Sequence, residues 1–234
     1  MCDVCVEKRL GRRNFMIGGA CLLAAASFGG VASAQLVSAA SNPDQALNLL
    51  MEGNARYAGN QPRERDFSAA RASRATGQAP FASILGCADS RVAPELAFDQ
   101  NPGDLFVVRV AGNFVTPDGL GSLEYGAAVL GSKLIMVLGH TNCGAVNATV
   151  AALQKGNKLP GHIADLVRAM KPGIDPVLKK AGDDLQQRAV IANVQHNVER
   201  LKKATPILAG MVTKKEVRVV GGVYDIATGK VTLV

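Results

Sequence analysis

Four short stretches of this chain are rich in apolar residues, the first three almost unbroken, and between them the apolar positions recur with helical spacing. Phe81–Gly86, Asp104–Val110, Lys133–Leu138 and Glu216–Val220 have the length of strands. The first three carry Ile84-Leu85, Leu105-Phe106-Val107-Val108 and Leu134-Ile135-Met136-Val137-Leu138, without the alternation of a half-exposed strand. They predict strands covered on both faces, as in a parallel sheet. Ser41-Asn42-Pro43-Asp44 predicts a helix start, followed by an apolar face of Ala46, Leu47, Leu49, Leu50 and Met51. Gly53-Asn54 is expected to bend or end that helix, and residues 60–79, polar and basic, to run over the surface. Thr116 as N-cap with Pro117 in the first turn predicts a helix through Leu130. Further helices are expected over Thr141–Ala152, Gly161–Met170 and Leu185–Lys203, and a closing hairpin over Val217–Val234 with Gly229 in its turn. This order predicts an α/β fold, a mostly parallel central β-sheet flanked by helices in a single domain. No interior repeat, low-complexity tract or linker divides it.

The first 34 residues follow another pattern. A polar stretch ends in Arg12-Arg13-Asn14-Phe15-Met16, a soft apolar run follows to Val31, and Ala32-Ser33-Ala34 offers a small-x-small cleavage site. These are the parts of a secretory signal peptide, with residues 35–234 as the mature domain. The run is too short and too rich in Gly and Ala for a good membrane span, so no stable membrane anchor is expected after cleavage. Arg12-Arg13 before Phe15 resembles the twin-arginine signal, which exports folded proteins; an ordinary secretory signal with adjacent arginines is the alternative. Lipid attachment at Cys21 fits less well, because Gly18-Gly19-Ala20 lacks the aliphatic residue expected before such a cysteine. The expected location is periplasmic or secreted.

Cleavage would remove four basic residues (Lys8, Arg9, Arg12, Arg13) and two acidic ones (Asp3, Glu7), so the formal charge falls from +7 to +5. The remaining charges are scattered and no nucleic-acid module is present, so no nucleic-acid partner is expected. Of the five cysteines, only Cys87 and Cys143 lie beyond residue 34. Two cysteines in an exported protein suggest a disulfide, and a cysteine after an apolar strand is commonly an inert core residue. A third reading comes from their neighbours. Cys87 follows the first strand; His140 follows the third, with Cys143 three residues on. Ligand sites in open α/β sheets form beyond the carboxyl ends of strands. Two thiolates and an imidazole suit Zn²⁺, and three protein ligands leave the open position that separates a catalytic from a structural site.

Around these residues the chain resembles the β-class carbonic anhydrases. The resemblance is carried by Cys87-Ala88-Asp89-Ser90-Arg91, by Pro102-Gly103-Asp104-Leu105-Phe106-Val107-Val108-Arg109 with Ala111-Gly112-Asn113, and by Ser122-Leu123-Glu124-Tyr125-Gly126. Gly139-His140-Thr141-Asn142-Cys143-Gly144-Ala145 and Leu159-Pro160-Gly161-His162-Ile163 are also similar, and the likeness extends over about residues 41–234. It implies that Cys87, His140 and Cys143 bind one zinc ion, and that a zinc-bound hydroxide hydrates carbon dioxide reversibly to bicarbonate and a proton. In the three-histidine carbonic anhydrases, an unrelated class, zinc brings the pKa of bound water to about 7. In the family the aspartate at Asp89 accepts a hydrogen bond from the bound water and the arginine at Arg91 holds it there. Without the arginine, that aspartate can close the site. As a plain surface ion pair the two would contribute little. Gln100, Tyr125 and the Gly144 N–H resemble substrate-binding groups, with Asn101 competing for the position of Gln100; Tyr125, Phe114 and Val115 are expected either to line the apolar part of the pocket or to pack as ordinary core. Where some bacterial members have a tryptophan beside a noncatalytic bicarbonate pocket, this chain has Ile84, so that pocket is not expected despite Arg109 and Tyr224. His162 and His196 have no assigned role.

The resemblance also implies a homodimer or homotetramer, with the N-terminal helix reaching toward a partner. Two other functions fit the same ligands: hydrolysis of carbon disulfide or carbonyl sulfide, and a noncatalytic zinc-stabilised binding protein with Asp89 closing the site.

Overall fold

The chain alternates strands and helices because its buried runs are short and its amphipathic runs long, and the computed structural model shows how they stack. It describes residues 38–68, 71–156, 159–179 and 184–234. The proposed signal segment and its cleavage site lie outside the described residues.

Five strands form one sheet: β1 (Ala82–Gly86), β2 (Leu105–Arg109), β3 (Leu134–His140), β4 (Arg218–Tyr224) and β5 (Val231–Leu233), in the order β2-β1-β3-β4-β5. β1 through β4 are parallel, and β5 returns antiparallel as the predicted hairpin. β1 and β3 are buried at every position, as their unbroken apolar runs predict, whereas edge strand β2 is half-exposed. β3 extends two residues beyond the predicted end, so that His140 is its last residue and pairs with Tyr224.

The helices are α1 (Pro43–Ala58), α2 (Arg71–Arg74), α3 (Pro94–Ala97), α4 (Pro117–Ala128), α5 (Gly144–Lys155), α6 (Ile163–Leu178), α7 (Leu185–Lys202) and α8 (Leu208–Thr213). Thr116 caps α4 as predicted, its hydroxyl accepting from the Gly119 N–H at 3.0 Å. α6 runs past its expected end through Pro172 and Pro176 because it packs along α5 and α7. α1 likewise does not stop at Gly53-Asn54. Gly53 lies so close to the Phe98 carbonyl that a Cβ would meet it at 1.8 Å. Asn54 is 3% exposed; it donates to the carbonyls of Ala97 and Gly229 and accepts from the Val231 N–H. The pair that reads as a breaker is therefore a docking point, because tertiary contacts outweigh the modest helical cost of glycine.

Two apolar layers sandwich the sheet. One, against α5, α6 and α7, contains Leu85, Ile135, Val137, Val194 and Ile174; the other, against α1 and α3, contains Ile84, Met136, Leu138, Leu50 and Phe98. Alternate residues of β1 and β3 enter opposite layers, which is why neither strand tolerates polar alternation.

Candidate active site

Strand order decides the site. From β1 the chain crosses to β2 on one side, while β3 lies on the other, so the β1/β3 boundary is a topological switch point. Loops leaving the carboxyl ends of two such strands diverge and open a crevice. Gly86 of β1 pairs with Leu138 of β3, which brings Cys87 beside the end of β3, where His140 and Cys143 follow. A groove of about 540 Å³ beside Val217, Val219 and Lys215, toward the start of β4, contains neither His nor Cys.

The three side chains form one buried cluster. Their ligating atoms all lie within 4.8 Å of one another. The Cys87 and Cys143 sulfurs are 3.9 Å apart, far beyond the roughly 2.05 Å of a disulfide. Two thiolates on one tetrahedral zinc at about 2.3 Å each would stand about 3.8 Å apart, so the pair fits that ion. The histidine fits too. Its Nδ1 lies 2.9 Å from the Thr141 carbonyl, a bond that requires the proton on Nδ1, and Nε2 is thereby left as the basic, ligating nitrogen. That Nε2 is buried with no hydrogen-bond partner, a costly state for a polar atom unless a ligand occupies it.

The surroundings favour thiolate. The Gly112 N–H donates to the Cys87 sulfur at 3.3 Å, and Cys143 stands just before α5, whose first N–H groups at Ala145 and Val146 act to lower its pKa although its side chain makes no cap bond. Without a metal the pair is one thiolate and one thiol sharing a proton. Cys143 donates to Cys87, which drops to about 4 despite burial, with Gly112 adding; Cys143 keeps the proton and is pushed up.

Asp89 and Arg91 flank the cluster. Arg91 Nε donates to Asp89 Oδ1 at 2.9 Å and Nη2 to Oδ2 at 2.7 Å, while the Arg91 backbone N–H donates to Oδ1 at 3.0 Å. These bonds, opposed only by modest desolvation, hold the Asp89 carboxyl well below the usual carboxylate range. Its Oδ2 stands 3.7 Å from His140 Nε2. With both oxygens on a guanidinium fork, Asp89 is restrained from swinging in as a fourth ligand.

The remaining sequence candidates divide. Gly144 opens α5 directly after Cys143, is exposed, and has open space where a Cβ would be. Phe114 and Val115 are buried in the same apolar layer as both cysteines. Gln100 and Tyr125 make no hydrogen bond, ion pair or ring contact with the cluster. The Gln100 amide donates to the carbonyls of Leu49 and Phe98, and Tyr125 is 48% exposed on α4 against Phe106. Ile84 lies wholly buried between β2 and β3, and Arg109 is spent on the carbonyls of Cys87, Asp89 and Val92. Tyr224 faces Tyr57 at 3.2 Å between hydroxyls. The clamp by Arg109 and the Gly112 N–H escaped sequence reasoning, since bonds to backbone leave no residue-type signal.

Fold and site together define an α/β protein with a soft, three-ligand zinc centre at a sheet switch point. Known proteins narrow that class. The family model for carbonic anhydrase matches residues 82–231. A carbonic anhydrase of Mycolicibacterium smegmatis is 40% identical over 195 residues, covering 82% of this chain and 94% of its own length. Carbonic anhydrase 2 of Mycobacterium tuberculosis is 38% identical over 198 residues, covering 82% and 93%. Among solved structures, a Coccomyxa β-carbonic anhydrase in complex with acetazolamide has a TM-score of 0.64 at 31% identity, covering 80% of this chain and 86% of that one. The tetrameric β-carbonic anhydrases of Sordaria macrospora share the fold, with a TM-score of 0.62 at 22% identity, covering 80% and 96%. The chain belongs to the carbonic anhydrase family, and its fold is that of the β class.

Proposed function

We propose that this protein is a zinc-dependent carbonic anhydrase, interconverting carbon dioxide with bicarbonate and a proton. The observation that carries this reading is the preformed Cys87–His140–Cys143 cluster with its unpartnered Nε2 and a tethered carboxylate beside it. Zinc on these three residues supplies the Lewis acidity that makes water a usable nucleophile near neutral pH.

The chain's own residues supply the rest. Asp89 is the only carboxylate at the cluster among the described residues, and its Oδ2 can accept a hydrogen bond from the reacting water. Arg91 fixes that carboxylate through two side-chain bonds, so the water's lone pair is aimed rather than free to rotate, a positioning role. In this reading the N–H of the exposed Gly144, at the positive end of α5, donates to an oxygen of bicarbonate. Phe114 and Val115 back the site with apolar surface that keeps it dry. The doubly bonded state of Asp89 favours an open site over a zinc-stabilised binding protein closed by that residue.

Gln100 and Tyr125 act on substrate only if a second copy brings them to a site. Both lie beside edge strand β2, where Leu96, Tyr125 and Val129 are 57%, 48% and 65% exposed. This apolar edge supports a homodimer, or a tetramer built from dimers.

Residues 1–34 we read as an export signal, twin-arginine in type, on the strength of Arg12-Arg13, the run to Val31 and Ala32-Ser33-Ala34. Among the described residues no helix is long and apolar enough to cross a membrane. N-terminal sequencing of protein from the periplasmic fraction tests this, with Gln35 expected first. Stopped-flow hydration of carbon dioxide on zinc-quantified protein tests the activity. Turnover proportional to zinc content is expected, and zinc-loaded protein without turnover defeats the reading.

A further inference from the structure

Glycine imposes little on its own backbone, yet Gly112 aims an N–H at a zinc-ligand sulfur from a left-handed conformation, φ +87°. Something outside the residue must hold it. Met170 closes one side, since a Cβ on Gly112 would meet its sulfur at 2.3 Å. The other hold is polar and comes from α7. Asn193, 0% exposed, donates from Nδ2 to the Gly112 carbonyl at 2.8 Å.

That amide is in turn oriented by a relay. The Val115 N–H donates to Asn197 Oδ1 at 2.9 Å, which leaves Asn197 Nδ2 as donor. This donor reaches the Asn193 carbonyl at 2.8 Å and Asn193 Oδ1 at 3.3 Å. Asn193 must then present Nδ2 to Gly112. Arg200 adds a bond to the Val115 carbonyl at 3.1 Å. Residues 193, 197 and 200 follow helical i, i+4, i+7 spacing, so one face of α7 grips the loop from Gly112 to Val115. Two buried asparagines beside Val190, Val194 and Val198 are expensive unless fully bonded, and here their bonds run to the loop that touches Cys87.

We infer that Asn193 is a positioning residue for the metal centre, acting through Gly112 on the Cys87 sulfur, with Asn197 setting the direction of its amide. This deepens the zinc-enzyme reading and rests on it. Outer-shell partners of this kind typically alter metal affinity or activity by about 10–100-fold.

The test uses zinc-loaded and cobalt-substituted protein. Asn193→Asp keeps the shape but removes the donor facing the Gly112 carbonyl. Zinc release to a chelator should quicken by about 10–100-fold, the thiolate-to-cobalt absorption should shift, and kcat should fall with KM little changed. Asn54→Asp is the control, because Asn54 is equally buried and also donates to two carbonyls, but at the α1 docking point. It should lower stability and leave zinc release and the cobalt spectrum unchanged. Release and spectrum in Asn193→Asp matching wild type, or moved equally by Asn54→Asp, would overturn the inference. Should Asn193→Asp not fold, Asn197→Ser serves, with zinc release expected several-fold faster; wild-type release there is equally fatal. Wild-type protein that binds zinc and hydrates carbon dioxide while the variants behave normally defeats only this inference. A wild type without zinc or turnover defeats the functional reading itself.

Discussion

Two aspartates ten positions apart are both gripped by arginine, and they do opposite work. Asp89 has a side chain 16% exposed, one arginine two residues away, and an oxygen 3.7 Å from His140 Nε2. Asp99 has a side chain 0% exposed and a left-handed backbone, φ +48°. It receives Arg56 Nε at 2.6 Å, Arg65 Nη2, and the Arg63 N–H at 3.2 Å. Arg56 comes from α1 and the other two from the polar segment after it, so Asp99 ties the N-terminal part of the chain to the loop before β2. Burial pushes the Asp99 carboxyl up, but the bonds to Arg56, Arg65 and Arg63 outweigh it, and its pKa lies below the ordinary value. The same residue pair is thus a tool when half-open beside a ligand cluster and a fastener when closed on all sides. The exposed pair contributes little to stability. The enclosed one matters because removing one partner strands buried charge.

The contrast can be broken at several points, the largest effect first. Asp89→Asn should lower kcat/KM for carbon dioxide hydration by at least about 100-fold, with the melting temperature almost unmoved. Arg91→Ala should abolish activity at neutral pH by freeing Asp89 to close the site, while Arg91→Lys, lacking the fork, should retain a fraction. Full activity in zinc-loaded Arg91→Ala would show that the tether is dispensable. Asp99→Asn should do the reverse, costing about 3 kcal/mol in urea denaturation while kcat/KM of the folded protein stays within about twofold of wild type.

Acid titration sharpens the same comparison. Because the folded pKa of Asp99 is depressed, its stabilisation is present above the unfolded value of about 3.9. It is lost as pH falls through the folded value. The stability gap between wild type and Asp99→Asn should therefore be constant from neutral pH to about pH 5 and close below about pH 4. A gap that closes near neutrality would assign it to another group. Arg56→Lys is the mildest probe. It keeps the charge but loses the directed Nε bond to Asp99, and should cost about 1 kcal/mol with no change in turnover.

Legibility follows the same line as the two aspartates. Asp89-x-Arg91 is visible because both partners lie on one short loop, and His140-x-x-Cys143 because strand end and helix start are consecutive. β1 and β3 were visible because burial on both faces leaves unbroken apolar runs, whereas the apolar run of β2 could not say that the strand lies at an edge and is half-exposed. Gly53-Asn54 misled, since a breaker signal and a docking signal use the same residue types and only the neighbour, here Phe98, separates them. Asn193 and Asn197 stand out as polar positions among Val190, Val194 and Val198, yet nothing local says that they face Gly112. Arg109 resembles a residue of a bicarbonate pocket that Ile84 already argued against, and the structure shows the work the sequence did not reveal, three bonds to carbonyls of the Cys87 loop.

What the sequence determined alone was the chemistry available: two thiols, one imidazole, a tethered carboxylate, and the strands and helices on which they ride. These depend on neighbours along the chain and on periodicity, which covalent order supplies. The tertiary structure decided that β1 lies against β3, so that sulfurs 56 residues apart come within 3.9 Å, and that Asp99 is enclosed by arginines 34 and 43 residues away. Strand order and enclosure arise from the summed packing of the whole domain, where many weak contacts outweigh any local preference.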